Sequence, residues 1–130
     1  MTIFQLSEPG KIEKKTIAVP QPKSGEVLVK VERCGICGSD LTIFNGKHPY
    51  AISPLIMGHE FAGIVEEVGG NVESRQKGDR VTVIPHLTCG ECGPCRERKY
   101  NFCEQLRCMG AEAHGAHCEY IVVPFDRAVQ

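Results

Sequence analysis

The sequence contains no tryptophan, and aromatic residues make up only 6% of it. Base-stacking platforms for single-stranded nucleic acid are therefore not expected. It also lacks an excess of either charge: 15 Lys and Arg stand against 16 Asp and Glu, for a net charge of −1. That removes the global electrostatic reason to expect nucleic acid or an anionic membrane as a partner. No apolar run approaches the roughly 20 residues of a membrane span. Met1 to Gly10 has no basic segment followed by an apolar stretch, so no secretory signal is read there and a cytoplasmic protein is expected. No G-x-G-x-x-G occurs, so the strand-to-helix turn of a dinucleotide-binding unit is missing.

What is present fits one globular domain. The chain has 130 residues, 42% hydrophobic and 24% charged, enough to bury roughly two-thirds of its unfolded surface. Fourteen glycines and 8 prolines point to short strands and many turns. Lys11 to Val19 reads as a strand ending at Pro20. Glu26 to Glu32 alternates, with Val27, Val29 and Val31 on one side and Lys30 and Glu32 on the other, which predicts a half-buried strand. Ser39 or Asp40 can cap a short helix through Leu41, Ile43 and Phe44, stopped by Asn45-Gly46. Phe61–Val68, Arg80–Ile84 and Cys118–Val123 read as further strands. Short strands joined by turns predict a mainly β, barrel-like domain.

The 8 cysteines are the unusual feature. In a reducing compartment they are more often metal ligands than crosslinks. Cys89, Cys92, Cys95 and Cys103 form C-x2-C-x2-C-x7-C, in a polar segment (88–109) without clear periodicity. Two-residue gaps let tight turns, supplied by Gly90, Gly93 and Pro94, bring successive sulfurs together. Four thiolates suit tetrahedral zinc and leave no open position, so the expected role is structural. Arg96, Arg98 and Lys99 can offset the negative charge. An iron–sulfur cluster fits less well, because the last gap is seven residues and Glu104, not proline, follows. Unrelated buried cysteines are the plain alternative.

A second group is sparser. Cys37 lies at a strand-to-helix junction, where amides favour a thiolate. His59 follows 22 residues later in Gly58-His59-Glu60. Soft ligands with a position left over are what a catalytic zinc needs. Cys34-Gly35-Ile36-Cys37 also admits a redox reading as C-x2-C, although no thioredoxin-like βαβ pattern surrounds it. One ligand beside a bystander thiol is a third.

Together these residues resemble the zinc-dependent medium-chain alcohol and polyol dehydrogenases. Gly58-His59-Glu60-Phe61-Ala62-Gly63, with Gly69 and Val72, fits that family's zinc signature. Gly35-Ile36-Cys37-Gly38-Ser39-Asp40 resembles the segment with its first catalytic zinc ligand. Gly78-Asp79-Arg80-Val81 and the four-cysteine loop match in order. The resemblance covers nearly the whole chain and is closest in the sugar-alcohol branch, the sorbitol, galactitol-phosphate, threonine and hexonate dehydrogenases. It implies a GroES-like, partly open β-barrel with short helices and a zinc-binding lobe.

The resemblance also implies roles. Cys37 and His59 would bind a catalytic zinc, with Glu60 a direct or intermittent ligand. Asp40 would accept a hydrogen bond from the other nitrogen of His59. Ser39 would take the substrate's proton. Zinc would lower the alcohol's pKa, and hydride would pass to NAD or NADP. Many relatives carry histidine two residues after the aspartate. Thr42 stands there in this chain, and a hydroxyl can pass a proton but cannot hold one as imidazole can. An aromatic residue that often faces substrate is replaced by His117, which points to a polar or anionic alcohol or polyol. Tyr50, with Lys47 and His48, sits in a loop that often frames the cleft.

The resemblance places the nucleotide-binding domain and a further zinc ligand beyond residue 130. The expectation is thus the front of a longer, homo-oligomeric enzyme, with residues 1–130 inactive alone. A stand-alone zinc-stabilised binding module without catalysis is the alternative, and a redox protein using Cys34 and Cys37 a third.

Overall fold

A computed structural model describes all 130 residues. In chain order the elements are β1 (Thr2–Glu8), β2 (Lys11–Thr16), β3 (Glu26–Cys34), α1 (Gly38–Phe44), β4 (Leu55–Ile56), β5 (Phe61–Val68), β6 (Arg80–Val83), β7 (His86–Leu87), α2 (Gly93–Arg96), β8 (Arg107–Cys108), β9 (Tyr120–Pro124) and β10 (Ala128–Val129). Short 3-10 turns occupy Tyr100–Phe102 and Phe125–Arg127. One five-stranded sheet has the order β10-β6-β5-β3-β9, and a three-stranded sheet has β2-β1-β4. No helix is long and apolar enough to cross a membrane.

The larger sheet is built around β3, which pairs antiparallel with both β5 and β9. This central position explains why Val27, Leu28 and Val29 are buried in succession rather than alternately. Two register shifts interrupt the β3–β5 pairing. Glu66 is left over opposite the Leu28–Val29 step, and Glu32 lies unpaired between Val31 and Arg33. Such bulges bend a strand and increase its twist, here curling the sheet into part of a barrel. The second bulge lies just before Cys34 and turns the end of β3 toward the loop that carries Cys37. Gly63 lies where β5 crosses β3, and a side chain there would strike the Lys30 carbonyl.

The two sheets join at residues 117–119. Phe4 N donates to His117 O (2.9 Å), Glu119 N to Thr2 O (3.1 Å) and Val31 N to Glu119 O (2.9 Å). This short segment therefore lies between β1 and β3 and closes one side of the barrel. The main core holds Val27, Val29, Phe61, Val65, Val81 and Val123 among its buried residues. Each fully buried side chain of this kind stabilises by roughly 1.5–3 kcal/mol. A second cluster of Leu6, Ile43, Leu55, Met57 and Ala111 packs α1 onto β1 and β4. It fixes the helix that follows Cys37 against the strand that leads to His59.

Three local readings need correction. Lys11–Val19 is a strand only to Thr16; Ile17 and Val19 are exposed before Pro20. The helix cap is neither Ser39 nor Asp40. Cys37 is the N-cap, its sulfur accepting from Ser39 N while the Asp40 carboxylate accepts from Cys37 N, a reciprocal capping box. The last apolar strand runs Tyr120–Pro124, not Cys118–Val123. Strand β1 has no counterpart in the sequence reading. Its buried residues Ile3 and Leu6 are three apart and so fall on opposite faces, which erases the period-2 signal.

Residues 88–106 hang from a narrow stem, the two-residue pairing of β7 with β8. Only Cys95 and Cys103 are buried within them, so apolar packing alone gives this lobe no core.

Candidate metal centres

The lobe brings its four cysteines together. The sulfurs of Cys89, Cys92, Cys95 and Cys103 all lie within 4.8 Å of one another. Cys89 Sγ is 3.9 Å from Cys95 Sγ and 3.6 Å from Cys103 Sγ. Tetrahedral zinc with bonds near 2.3 Å places its sulfurs about 3.8 Å apart, so the donor set fits that ion. Backbone amides support the sulfurs: Cys92 N donates to Cys89 Sγ (3.4 Å), while Cys89 N (3.3 Å) and Gln105 N (3.4 Å) donate to Cys103 Sγ. The amides of Cys92 and Glu91 pull the Cys89 thiol down to about 7. Burial pushes the Cys95 thiol up to about 12, and a bound cation would be needed to favour its thiolate.

The second centre forms where the end of β3, the start of α1 and the start of β5 meet. Cys37 Sγ lies 3.1 Å from His59 Nε2 and 2.8 Å from Ser39 Oγ. Ser39 Oγ is 3.4 Å from the same imidazole nitrogen. On the far side of the ring, His59 Nδ1 faces Asp40 Oδ1 at 3.6 Å. The Asp40 side chain is only 2% exposed. Its Oδ2 accepts from Cys37 N (2.9 Å), and its Oδ1 is the one buried side-chain oxygen or nitrogen without a partner.

An unsatisfied buried carboxylate oxygen is costly. This one lies where it can receive the Nδ1 proton once Nε2 binds a cation. Sulfur and nitrogen on a common zinc would be about 3.6 Å apart, within about half an ångström of the observed separation. Cys37 and His59 thus fit a zinc ion, and Asp40 fits the role of orienting the histidine.

The other candidate residues are placed differently. Glu60 is exposed and adjoins the centre, but its carboxylate is not in the group formed by Cys37, Asp40 and His59. Its Oε2 lies over Gly35, close to where a side chain would begin. Thr42 Oγ1 donates to Gly38 O (3.1 Å), one helical turn back. Tyr50 is exposed, its ring edge-on to His48 at 6.2 Å.

His117 lies against Gly58, next to His59. A Cβ on Gly58 would come within 2.6 Å of the His117 ring and 2.8 Å of Cys34 Sγ. Both residues line a cleft of about 650 Å³ that also includes Phe4, Ile12, Val31 and Ile36. The nearness of Cys34 to His117 has no signal in the sequence, since 83 positions separate them and only the folding of β3 against residues 115–119 joins them. Burial, with Asp40 and Glu60 nearby, pushes the Cys34 thiol up to about 11. Cys34 packs toward Gly58 and Cys37 toward Ser39 and His59. All 8 cysteines are free.

Comparison with known proteins shows the family to which this fold belongs. Residues 23–130 match the alcohol dehydrogenase GroES-like domain family. The starvation-sensing protein RspB of Escherichia coli K12 is 43% identical over 128 residues, covering 98% of this chain and 38% of that protein. The D-arabitol-phosphate dehydrogenase of Enterococcus avium is 40% identical over 107 residues, covering 82% of this chain and 30% of its own length. Among solved structures, the alcohol dehydrogenase rspB of Escherichia coli CFT073, complexed with NADH, superimposes with a TM-score of 0.93 at 40% identity. That match covers all of this chain and 38% of the other. The chain therefore spans well under half the length of these relatives. It belongs to the zinc-type medium-chain alcohol dehydrogenase family, and what it carries is that family's GroES-like domain.

Proposed function

We propose that these residues form the metal-holding part of an NAD(P)-dependent dehydrogenase that oxidises a secondary alcohol of a polyol, sugar acid or related polar substrate. The observation that carries the reading is the 3.1 Å approach of Cys37 Sγ to His59 Nε2, with buried Asp40 behind the opposite ring nitrogen. Cys37 and His59 would hold the catalytic zinc, with Glu60 positioned to approach it. Cys89, Cys92, Cys95 and Cys103 would hold the structural one. When bound, the catalytic ion supplies Lewis acidity toward the substrate oxygen, and a nicotinamide cofactor supplies the hydride acceptor.

The chain's own residues then have defined tasks. With a cation on Nε2, Asp40 would accept the Nδ1 proton of His59 and so keep Nε2 turned toward Cys37. Ser39 Oγ, within 3.4 Å of both Cys37 Sγ and His59 Nε2, is placed to accept the substrate hydroxyl proton. Thr42 is the next hydroxyl along α1, and with its own proton given to Gly38 O it offers only lone pairs to an incoming proton. His117, packed against Gly58 next to His59, would put a polar group near the metal centre, which supports a polyol or anionic alcohol over an apolar one. The apolar Ile36, Leu41, Tyr50 and Ile52 stand exposed on α1 and the loops flanking it. Such a surface suits coverage by the cofactor-binding part of a longer chain.

Metal content tests the reading. The chain should bind two zinc ions, the lobe more tightly, and Cys37→Ser should leave one. Retention of both ions by Cys37→Ser would refute the assignment of Cys37. A single ion in the unaltered chain, held at the lobe, would favour the non-catalytic zinc-stabilised module instead.

A further inference from the structure

We infer that Arg127 is a positioning residue for the four-cysteine lobe, a clasp that fixes the lobe's orientation on the barrel and slows loss of its metal. The inference rests on the reading that the lobe holds zinc. The lobe is joined to the barrel by only two paired residues on each side, β7 and β8, and has no apolar interior. Something else must prevent it from swinging on this stem.

The Arg127 guanidinium is placed to do so. Its Nη2 donates to Thr88 Oγ1 (3.3 Å), immediately before the ligand Cys89. The centre of the guanidinium lies 5.4 Å from the Tyr100 ring centroid, three residues before the ligand Cys103. One planar cation therefore touches both legs of the loop, the leg entering the cysteine cluster and the leg leaving it. Asp126 Oδ2 accepts from the same Nη2 at 2.8 Å and fixes the plane of the group. Only 12% of the Arg127 side chain is exposed, and its bond to Thr88 is partly buried, while Tyr100 and Asp126 keep an outer face in solvent.

The base of the clasp is rigid. Arg127 O accepts from Ile84 N (2.9 Å), where the chain leaves β6. The next residue, Ala128, is fully buried and pairs with Val83. Its carbonyl accepts from Arg75 Nε at 2.6 Å. The backbone of residues 127–128 thus belongs to the barrel, while the side chain belongs to the lobe. No hydrogen bond joins Arg127 to a cysteine, so it acts on the metal through Thr88 and Tyr100. Lysine cannot replace it, because an ammonium group has neither the planar face for Tyr100 nor a second fixed donor direction.

The test follows zinc release to a chromogenic chelator, in a Cys37→Ser background so that only the lobe carries the ion. Arg127→Ala should speed release about tenfold, the scale of one lost charged contact with an aromatic face and a hydroxyl. Arg127→Lys should do nearly the same. Tyr100→Ala should also accelerate release, whereas Tyr100→Phe, which keeps the ring, should restore the original rate. Combining Arg127→Ala with Tyr100→Ala should add little beyond Arg127→Ala alone, because both remove one shared contact. Cobalt placed in the lobe should keep its thiolate absorption in all these variants, since the ligands are untouched. Release at the unaltered rate from Arg127→Ala, or equal rates for Tyr100→Phe and Tyr100→Ala, would overturn the inference. A four-cysteine lobe that takes up no zinc would instead overturn the metal reading beneath it, and the clasp with it.

Discussion

Gly58 meets two demands that no other residue satisfies together. Its backbone has φ of +91°, and the space beside its Cα is filled by the His117 ring and Cys34 Sγ. Gly58→Ala would strain the backbone and displace one of those neighbours, at a cost of about 3 kcal/mol. Because His59 follows directly, the same substitution should weaken the second zinc while the lobe keeps its own. Thermal unfolding together with a metal count of the variant checks both effects. Cys118 makes a different prediction. Burial, with Cys34 and Glu119 nearby, pushes its thiol up to about 12 from an ordinary 9.0. In the unfolded chain the thiol ionises near the ordinary value, while in the folded chain it stays protonated up to the raised one. The stability this provides is complete below about pH 9 and is lost as pH rises toward about 12. Melting temperatures measured from about pH 8 to about pH 11 should fall less steeply for Cys118→Ala than for the unaltered chain.

At the scale of elements, the lobe and the barrel should part company when metal is removed. The barrel has its own cluster of 11 buried apolar residues; the lobe has its cysteines. Structural zinc binding is worth roughly 10–16 kcal/mol of apparent folding energy in zinc-finger peptides. A strong chelator should therefore open residues 88–106 and leave β3, β5 and β6 folded. Trypsin should then cut at Arg96, Arg98 or Lys99, with little change in the far-ultraviolet signal of the sheet. Equal cleavage with and without chelator would contradict this.

The sequence shows the same division. The elements that could be read from it are those whose side chains carry their own pattern. Strand β5 has the residues expected of it, Phe61–Val68, and β6 ends one residue earlier than expected. The four cysteines announce their lobe through their spacing. Illegible were the elements defined only by distant partners: β1, β4, the β7–β8 stem and β10. The N-cap sulfur of Cys37 was hidden for another reason, since Ser39 and Asp40 are better intrinsic caps. The capping box is completed by Asp40 reaching back, which no propensity of Cys37 foretells.

For the whole molecule, the two metal centres differ in how they are assembled. The lobe's ligands lie within 15 residues of sequence, so that site is nearly local. Cys37 and His59 meet only because β3 and β5 pair along their length and α1 packs on the Leu6–Met57 cluster. Loss of barrel packing should thus abolish the second centre before the first. The barrel itself is open at its margins, and β2 is an edge strand of the smaller sheet. Along it Lys11 and Lys15 flank Glu13 at 3.2 and 3.1 Å, with Lys14 between them and Ile12 half exposed. A sheet edge with unpaired amides is a ready template for another chain, and a row of charged lysines opposes such pairing. Chemistry that neutralises lysine, acetylation for example, would remove the exposed ion pairs of Lys11 and Lys15 with Glu13 and leave the buried core untouched. It would change instead the colloidal behaviour of the protein, turning a charged margin into a surface on which a second copy could begin to grow.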